Sequence, residues 1–285
     1  MKISVKHVLT AALLLAAAMS NAQEIVPPQV PQAVIFADQV IEFSNQDRYE
    51  RMDRELITFT YMHTTSTLML KRSGRYFPMI ERVLRKYGIP DDLKYLCVIE
   101  SNLDPKAVST AGAAGLWQFT KATAKEYGLE IREGVDERYN IEKETEAACK
   151  FLKKAYAKYG DWMTVAASYN AGMAGISKRV EDQREACALD LWLVEETSRY
   201  MYRLLAAKML FEHPDLFGFN VDERYPYIEP SETVTVSGSI ASLVDFAQEH
   251  GVTYAQLKMS NLWLRGTRLD NKDGKTYKLI IPGDS

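Results

Sequence analysis

The sequence predicts a mainly α-helical protein, with an all-helical domain over residues 46–213 followed by a small β-α-α-β unit over residues 231–285. Three observations carry this. Apolar residues recur at helical spacing between polar caps and glycine stops through the first region. Residues 214–230 then break the pattern with Pro214, Gly218, Pro226 and Pro230. Beyond them, two alternating β-branched runs, ETVTV (Glu232–Val236) and TYKLIIP (Thr276–Pro282), bracket two short helical stretches.

The chain begins with Lys2 and Lys6, an apolar run from Val8 to Met19, and Ser20-Asn21-Ala22. A basic region, an apolar core and a small-x-small site are the parts of an export signal, expected over residues 1–22. The run is too short to span a bilayer as a helix. No cysteine stands at the cleavage site, so a lipoprotein anchor is not suggested. The expected location is therefore outside the cytoplasm, periplasmic or envelope-associated.

Residues 23–45, with Pro27, Pro28 and Pro31 and little periodicity, read as a linker. Residues 46–72 read as a helix carrying Ile57, Tyr61, Leu68 and Leu70. A second helix spans 77–88, with Pro78 at its start, Ile80, Val83, Leu84 and Tyr87 on one face, and Gly88 as its stop. Pro90-Asp91-Asp92 opens a third, which Pro105 ends near Leu103. Thr120–Tyr127 precedes Gly128. Residues 140–159 follow, with Asn140 as cap, glutamates early, lysines late, and Ala148, Phe151, Leu152 and Ala155 as the buried stripe. Asp161 caps 161–170, and a long helix covers Glu195 to Phe211. After the 214–230 linker come the strand at 232–236, helices at Ser239–His250 and Tyr254–Asn261, and the strand at 276–282.

Composition bounds the function. Hydrophobic residues at 47% and charged residues at 26% describe an ordered globular chain. Net charge is −3, and loss of the two leader lysines takes it to about −5. No basic run exists, so a nucleic-acid partner has no electrostatic footprint. His7, His63, His213 and His250 are scattered, and no zinc-type spacing or phosphate-binding glycine loop occurs. No metal or organic cofactor is expected. Cys97 and Cys149 fall on apolar helical stripes and read as buried thiols; with Cys187 they make an odd set in which no spacing selects a pair.

The stretch with most chemistry is LKYLCVIESNLDPKAVSTAGAAGLWQF, residues 93–119. Leu93, Leu96, Cys97 and Glu100 share one helical face, apolar apart from the carboxyl. No cation stands three or four residues away, and the acid falls in a last turn, where the helix dipole disfavours negative charge. Both conditions raise its pKa and suit a proton donor.

ESNLDPKAVSTAGAAGLWQF, followed by TAKEYGL, VDER and SYNAG in order, resembles the catalytic domain of lytic murein transglycosylases. The approach RSGRYFPMIERVLRKYGIPDDLKYLCVIES narrows the resemblance to the D-type branch, over residues 50–212. The resemblance implies a lysozyme-like fold and cleavage of peptidoglycan glycan strands. Glu100 matches the family's single catalytic acid/base. Ser101 matches a neighbouring hydrogen-bonding serine, and Gln118 a substrate-contacting amide. Tyr169 and Asn170 match the AYN motif, with Ser168 for the usual alanine, and Tyr200 matches a second tyrosine near the acid. Tyr202 stands where proline is common. The implied chemistry breaks the bond between N-acetylmuramic acid and N-acetylglucosamine without water and leaves a 1,6-anhydro end. A goose-type lysozyme-like hydrolase and a non-catalytic wall-binding protein are the alternative readings. Asp104 and Glu126 are candidates for a second carboxylate by sequence proximity alone. TVTVSGSIASLVDFAQEHGVTYAQLKMSNLWL with KTYKLIIP resembles a divergent LysM module, the usual Gly-Asp-Thr start being Ser237-Gly238-Ser239 here. Its implied partner is again peptidoglycan; cell-wall or membrane proteins as further partners are left unspecified.

Overall fold

A computed structural model describes residues 25–283; the export signal expected at 1–22 lies outside them. The described chain is mainly helical, with three two-stranded antiparallel sheets. None of its helices is long and apolar enough to cross a membrane.

The stretch expected as a linker at 23–45 folds instead, over its second half, into a hairpin of β1 (Ala33–Phe36) and β2 (Gln39–Glu42). Val34, Phe36, Ile41 and Phe43 from it are buried. Its turn places Ala37 and Asp38 at φ 50° and 63° without a glycine. The Ala37 N–H donates to Asp92 Oδ2 at 2.8 Å, which fixes the turn from outside the hairpin. Hairpins usually announce themselves by Asn-Gly or Asp-Gly; this one is held by a distant aspartate.

Helix α1 covers Gln46–Tyr61 and α2 covers His63–Tyr87. The chain therefore breaks at Met62, and Pro78 lies inside α2 rather than at a helix start. Proline removes one hydrogen bond from the helix interior and presses on the carbonyl four residues back. Here that residue is Gly74, and the helix buries Met69, Leu70 and Phe77 before the defect and Ile80, Val83 and Leu84 after it. Packing on both sides outweighs the local loss of roughly 3 kcal/mol.

Helix α3 (Tyr95–Ser101) follows a 3-10 turn at Asp91–Lys94. Then come α4 (Lys121–Glu126), the short pair β3 (Ile131–Arg132) and β4 (Val135–Asp136), α5 (Ile141–Tyr159), α6 (Trp162–Ala171), α7 (Met173–Gln183) and α8 (Glu195–Glu212). Helix α7 is not among the expected helices; Ile176 is its one buried side chain, and Met173 and Val180 pack beside it on the core. Helix α8 is the axis of the domain: α1, α3 and α6 all pack on it, while α2 packs on α5. Twelve of its residues are buried, so packing covers most of its circumference.

The 214–230 stretch, expected to be a linker, is docked along α2. Phe217 and Phe219 are buried. The Tyr225 N–H donates to the Lys71 carbonyl at 2.8 Å, and Arg224 donates to Ser73 Oγ at 3.0 Å. Gly74 permits the approach, since a Cβ there would fall 2.7 Å from the Tyr225 carbonyl oxygen.

The C-terminal unit runs β5 (Pro230–Val236), α9 (Leu243–Glu249), α10 (Tyr254–Ser260) and β6 (Tyr277–Pro282). Its strands pair antiparallel, with Val234 opposite Leu279 and Val236 opposite Tyr277. Thr253 and Gln256 form a capping box at the start of α10. Leu243, Ala247, Leu257, Leu279, Ile281 and the stacked rings of Trp263 and Tyr277 fill its core.

Candidate active site

Glu100 occupies the last turn of α3. That helix is short because Asn102 and Leu103 both take the left-handed conformation, at φ 52° and 54°. Two such residues in succession each carry about 1–2 kcal/mol of strain. Leu103 is fully buried, and the Asn102 carbonyl accepts from the Arg72 guanidinium at 3.0 Å, so packing and a charged donor hold the turn.

Leu93, Leu96 and Cys97, the apolar neighbours of Glu100 on its face, are fully buried, and Glu100 itself is half-buried. The Tyr200 hydroxyl, from α8, donates to Glu100 Oε1 at 2.6 Å. Burial pushes the Glu100 carboxyl up to about 7; the Tyr200 hydrogen bond and the positive charge of Arg203 oppose this, and the Glu196 carboxylate adds to it. Burial likewise holds the Tyr200 and Tyr169 hydroxyls well above their ordinary range, so both remain donors. A carboxyl that exchanges its proton near neutrality can serve as acid and then as base.

The loop of residues 108–119 is linked to this acid through Tyr169, which bonds the Trp117 carbonyl and lies within electrostatic reach of Glu100. It has no regular secondary structure and is tied by the bridges Val108 to Ala114 and Ala114 to Phe119. Gln118 sits at φ 49°, and its amide donates to the carbonyls of Gly115 (2.8 Å) and Ala107 (3.2 Å). The amide thus shapes the loop with its nitrogen. Tyr169, near the end of α6, donates to the Trp117 carbonyl at 2.8 Å rather than to Glu100. Its ring packs between Phe119 and Phe151. Asn170 Oδ1 accepts from Thr197 Oγ1 at 2.9 Å, which joins the ends of α6 and α8. Ser101 is buried, and its hydroxyl donates to the Cys97 carbonyl of its own helix at 2.8 Å. Of the residues singled out in sequence, then, Tyr200 is bonded to the acid, Tyr169 and Gln118 brace the loop, Asn170 ties two helices, and Ser101 turns away.

Several residues that build the site had no site role in the sequence reading. Glu144 is fully buried on α5, and its Oε2 accepts the Trp117 N–H at 3.1 Å. Burial holds its carboxyl well above the ordinary range. Thr145 accepts from the Trp117 indole at 2.9 Å. Arg138, clamped by Asp136 at 2.7 Å, donates to the carbonyls of Gly112 (2.8 Å) within the loop and Phe119 (3.2 Å) at its end. Gly115 fits between them: a Cβ there would lie 1.8 Å from the Arg138 carbonyl oxygen and 2.4 Å from Glu144. A usable signal existed for Glu144, which precedes Ala148, Phe151, Leu152 and Ala155 on the apolar stripe of α5.

The two carboxylates considered as partners for Glu100 are engaged elsewhere. Asp104 pairs with Arg72 at 3.4 Å, and Glu126 pairs with Lys154 at 3.0 Å on the surface. The carboxylate whose charge reaches Glu100 is Glu196, exposed in the first turn of α8.

Glu100, its carboxyl pushed up to about 7 and bonded to one tyrosine, has the protonation behaviour that general acid/base work requires. Residues 78–189 match the family described as the transglycosylase SLT domain, and residues 232–285 match the soluble lytic transglycosylase C-terminal LysM-like domain. The chain therefore carries an SLT transglycosylase domain followed by a LysM-like domain. Membrane-bound lytic murein transglycosylase D of Escherichia coli (strain K12) is 26% identical over 238 residues, 81% of this chain and 51% of that protein. Peptidoglycan transglycosylase gp16 of Escherichia phage T7 is 42% identical over 100 residues, 34% of this chain and 8% of its own. The solved 70 kDa soluble lytic transglycosylase of Escherichia coli aligns over 75% of this chain and 43% of its own, at 15% identity and a TM-score of 0.44. The chain spans about half the length of the transglycosylase D proteins it matches.

Proposed function

We propose that the protein is an exported peptidoglycan lytic transglycosylase, with residues 46–213 as its catalytic domain, residues 231–285 as a wall-binding module, and Glu100 as its one acid/base. The observation that carries this is the Glu100–Tyr200 pair: a carboxyl pushed up to about 7 with one neutral donor at 2.6 Å and, among the described residues, no cation bonded to it. The family match over residues 78–189 supports the substrate class.

In the first step protonated Glu100 gives its proton to the glycosidic oxygen as the bond from C1 of N-acetylmuramic acid breaks. Glycosidases generally meet the developing positive charge with a second carboxylate. Here the substrate's own N-acetyl group takes that part. Tyr200 holds Oε1, so the carboxylate formed is stabilised where it stands. In the second step that carboxylate removes the proton of the C6 hydroxyl as its oxygen bonds to C1. The ring closes, Glu100 is protonated again, and no water is consumed. The loop of residues 108–119, braced by Gln118, Tyr169 and Arg138, forms the facing wall that orients the sugar. As drawn, the reaction uses no metal or cofactor.

Purified sacculi digested with the protein test this. The expected products end in 1,6-anhydro-N-acetylmuramic acid, one water lighter than hydrolysis products, and Glu100→Gln releases none. Reducing ends alone would make the protein a hydrolase, and full release by Glu100→Gln would remove Glu100 from the mechanism.

A further inference from the structure

The loop that Tyr169 links to Glu100 is held by residues 134–139, and these are held in turn by the C-terminal unit. Val135 of β4 bridges antiparallel to Leu264. The Asp136 N–H donates to the Trp263 carbonyl at 2.9 Å, and the Arg265 N–H donates to the Gly134 carbonyl at 2.8 Å. Asp136 clamps Arg138, and Arg138 binds the loop at Gly112 and Phe119. The Arg265 guanidinium lies 4.3 Å from the centre of the Tyr139 ring. On the far side of the strand pair, Glu130 receives the Tyr277 hydroxyl at 3.0 Å and Lys275 at 3.2 Å, and Arg132 donates to the Asp270 carbonyl at 2.7 Å.

The packing follows the same division. Ala114, inside the loop, is fully buried, and with Val135 and Tyr139 it belongs to the apolar cluster of Leu243, Leu257, Trp263 and Leu279 rather than to the core of the helical domain. The supporting segment is itself fixed. The Lys258 ammonium donates to the carbonyls of Leu264 and Gly266, and the Asn261 amide donates to the Ile280 carbonyl at 2.7 Å. A loop with two bridges and no regular structure has little stability of its own, and such segments open first. Its position relative to an acid matters, since an error of about 1 Å can reduce turnover a hundredfold.

We propose that the C-terminal unit is a structural part of the candidate active site: the Trp263–Arg265 segment, seated on Gly134–Asp136, positions residues 112–119 of the loop, so the unit sets turnover as well as attachment to the wall. This rests on the reading of Glu100 as the acid of a glycan-cleaving site. Arg265 and Arg132 act as positioning residues, since they reach the substrate only through the loop.

The test uses the full chain with Arg132→Ala and Arg265→Ala together, two substitutions outside both apolar cores. The substrate is a peptide-free glycan fragment too short to contact both units. Turnover falls about ten-fold with KM little changed, while pelleting with intact sacculi is unaffected. Hydrogen exchange at the Ala114 and Phe119 amides, which bond to each other's carbonyls, speeds up by about ten-fold, while α5 and α8 keep their protection. Arg132→Lys with Arg265→Lys restores most of both. Unchanged exchange at Ala114 and Phe119 overturns the proposal, as does a defect confined to KM and pelleting. If the double variant loses protection throughout, Arg265→Ala alone is read by the same two criteria. Should the wild-type protein cleave no glycan, the functional reading fails, and the exchange measurement still decides the positioning role.

Discussion

Replacing Glu100 by glutamine is expected to stabilise the protein, and to do so only above the acid range. Glutamine keeps an oxygen for the Tyr200 hydroxyl and removes the titration. The native carboxyl is raised from 4.5 to about 7, so between those values the folded state holds a proton that the unfolded chain has released. Stability then falls as pH rises through this window. The full difference, at 1.36 kcal/mol per pH unit, is roughly 3 kcal/mol, present above pH 7 and absent below pH 4.5. Urea unfolding of wild type and Glu100→Gln at pH 5 and pH 8 measures it directly. The gap in favour of the variant widens by about 2–3 kcal/mol between the two conditions. A gap that is flat with pH, or that narrows as pH rises, would refute the claim that burial sets the Glu100 pKa.

Three further outcomes follow from the same geometry. Tyr200→Phe removes the donor that opposes the rise, so the alkaline limb of the rate profile moves up by about one pH unit and turnover falls about 10–100-fold; a pH series of initial rates on soluble glycan reads both. Gly115→Ala forces a Cβ to 1.8 Å from a backbone oxygen at φ +86°, and the variant loses more than about 3 kcal/mol of stability in urea unfolding, or does not fold. Glu144→Gln costs less than Glu144→Ala, because its amide oxygen still accepts the Trp117 N–H, whereas Glu144→Ala loses about 2–4 kcal/mol by orphaning that N–H and opening a cavity. Thermal or urea unfolding of the pair measures what the bond to the Trp117 N–H contributes.

What the linear chain determined was whatever local rules write into it. Asn140 and Asp161 capped their helices, and Gly88 and Gly160 ended theirs. The apolar face of Leu93, Leu96 and Cys97 put Glu100 on a buried side near a helix end, and ETVTV with TYKLIIP marked the β-α-α-β unit. Capping and periodicity involve residues a few positions apart, so they are legible without a fold.

Only the tertiary structure decided the features that join distant segments. The turn at Ala37 depends on Asp92, the interior Pro78 is tolerated through packing on both sides, and the 214–230 strap is fixed by Lys71 and Ser73. The site divides in the same way. Glu100 was visible as an acid on an apolar stripe, but its partner Tyr200 lies a hundred residues on and meets it only because α3 packs on α8. Ser101 is adjacent in sequence and turns away, while Glu144 and Arg138 hold the loop whose Trp117 carbonyl binds Tyr169. A side chain's type fixes what chemistry it can do; burial and the partners brought by long-range packing fix whether it does it.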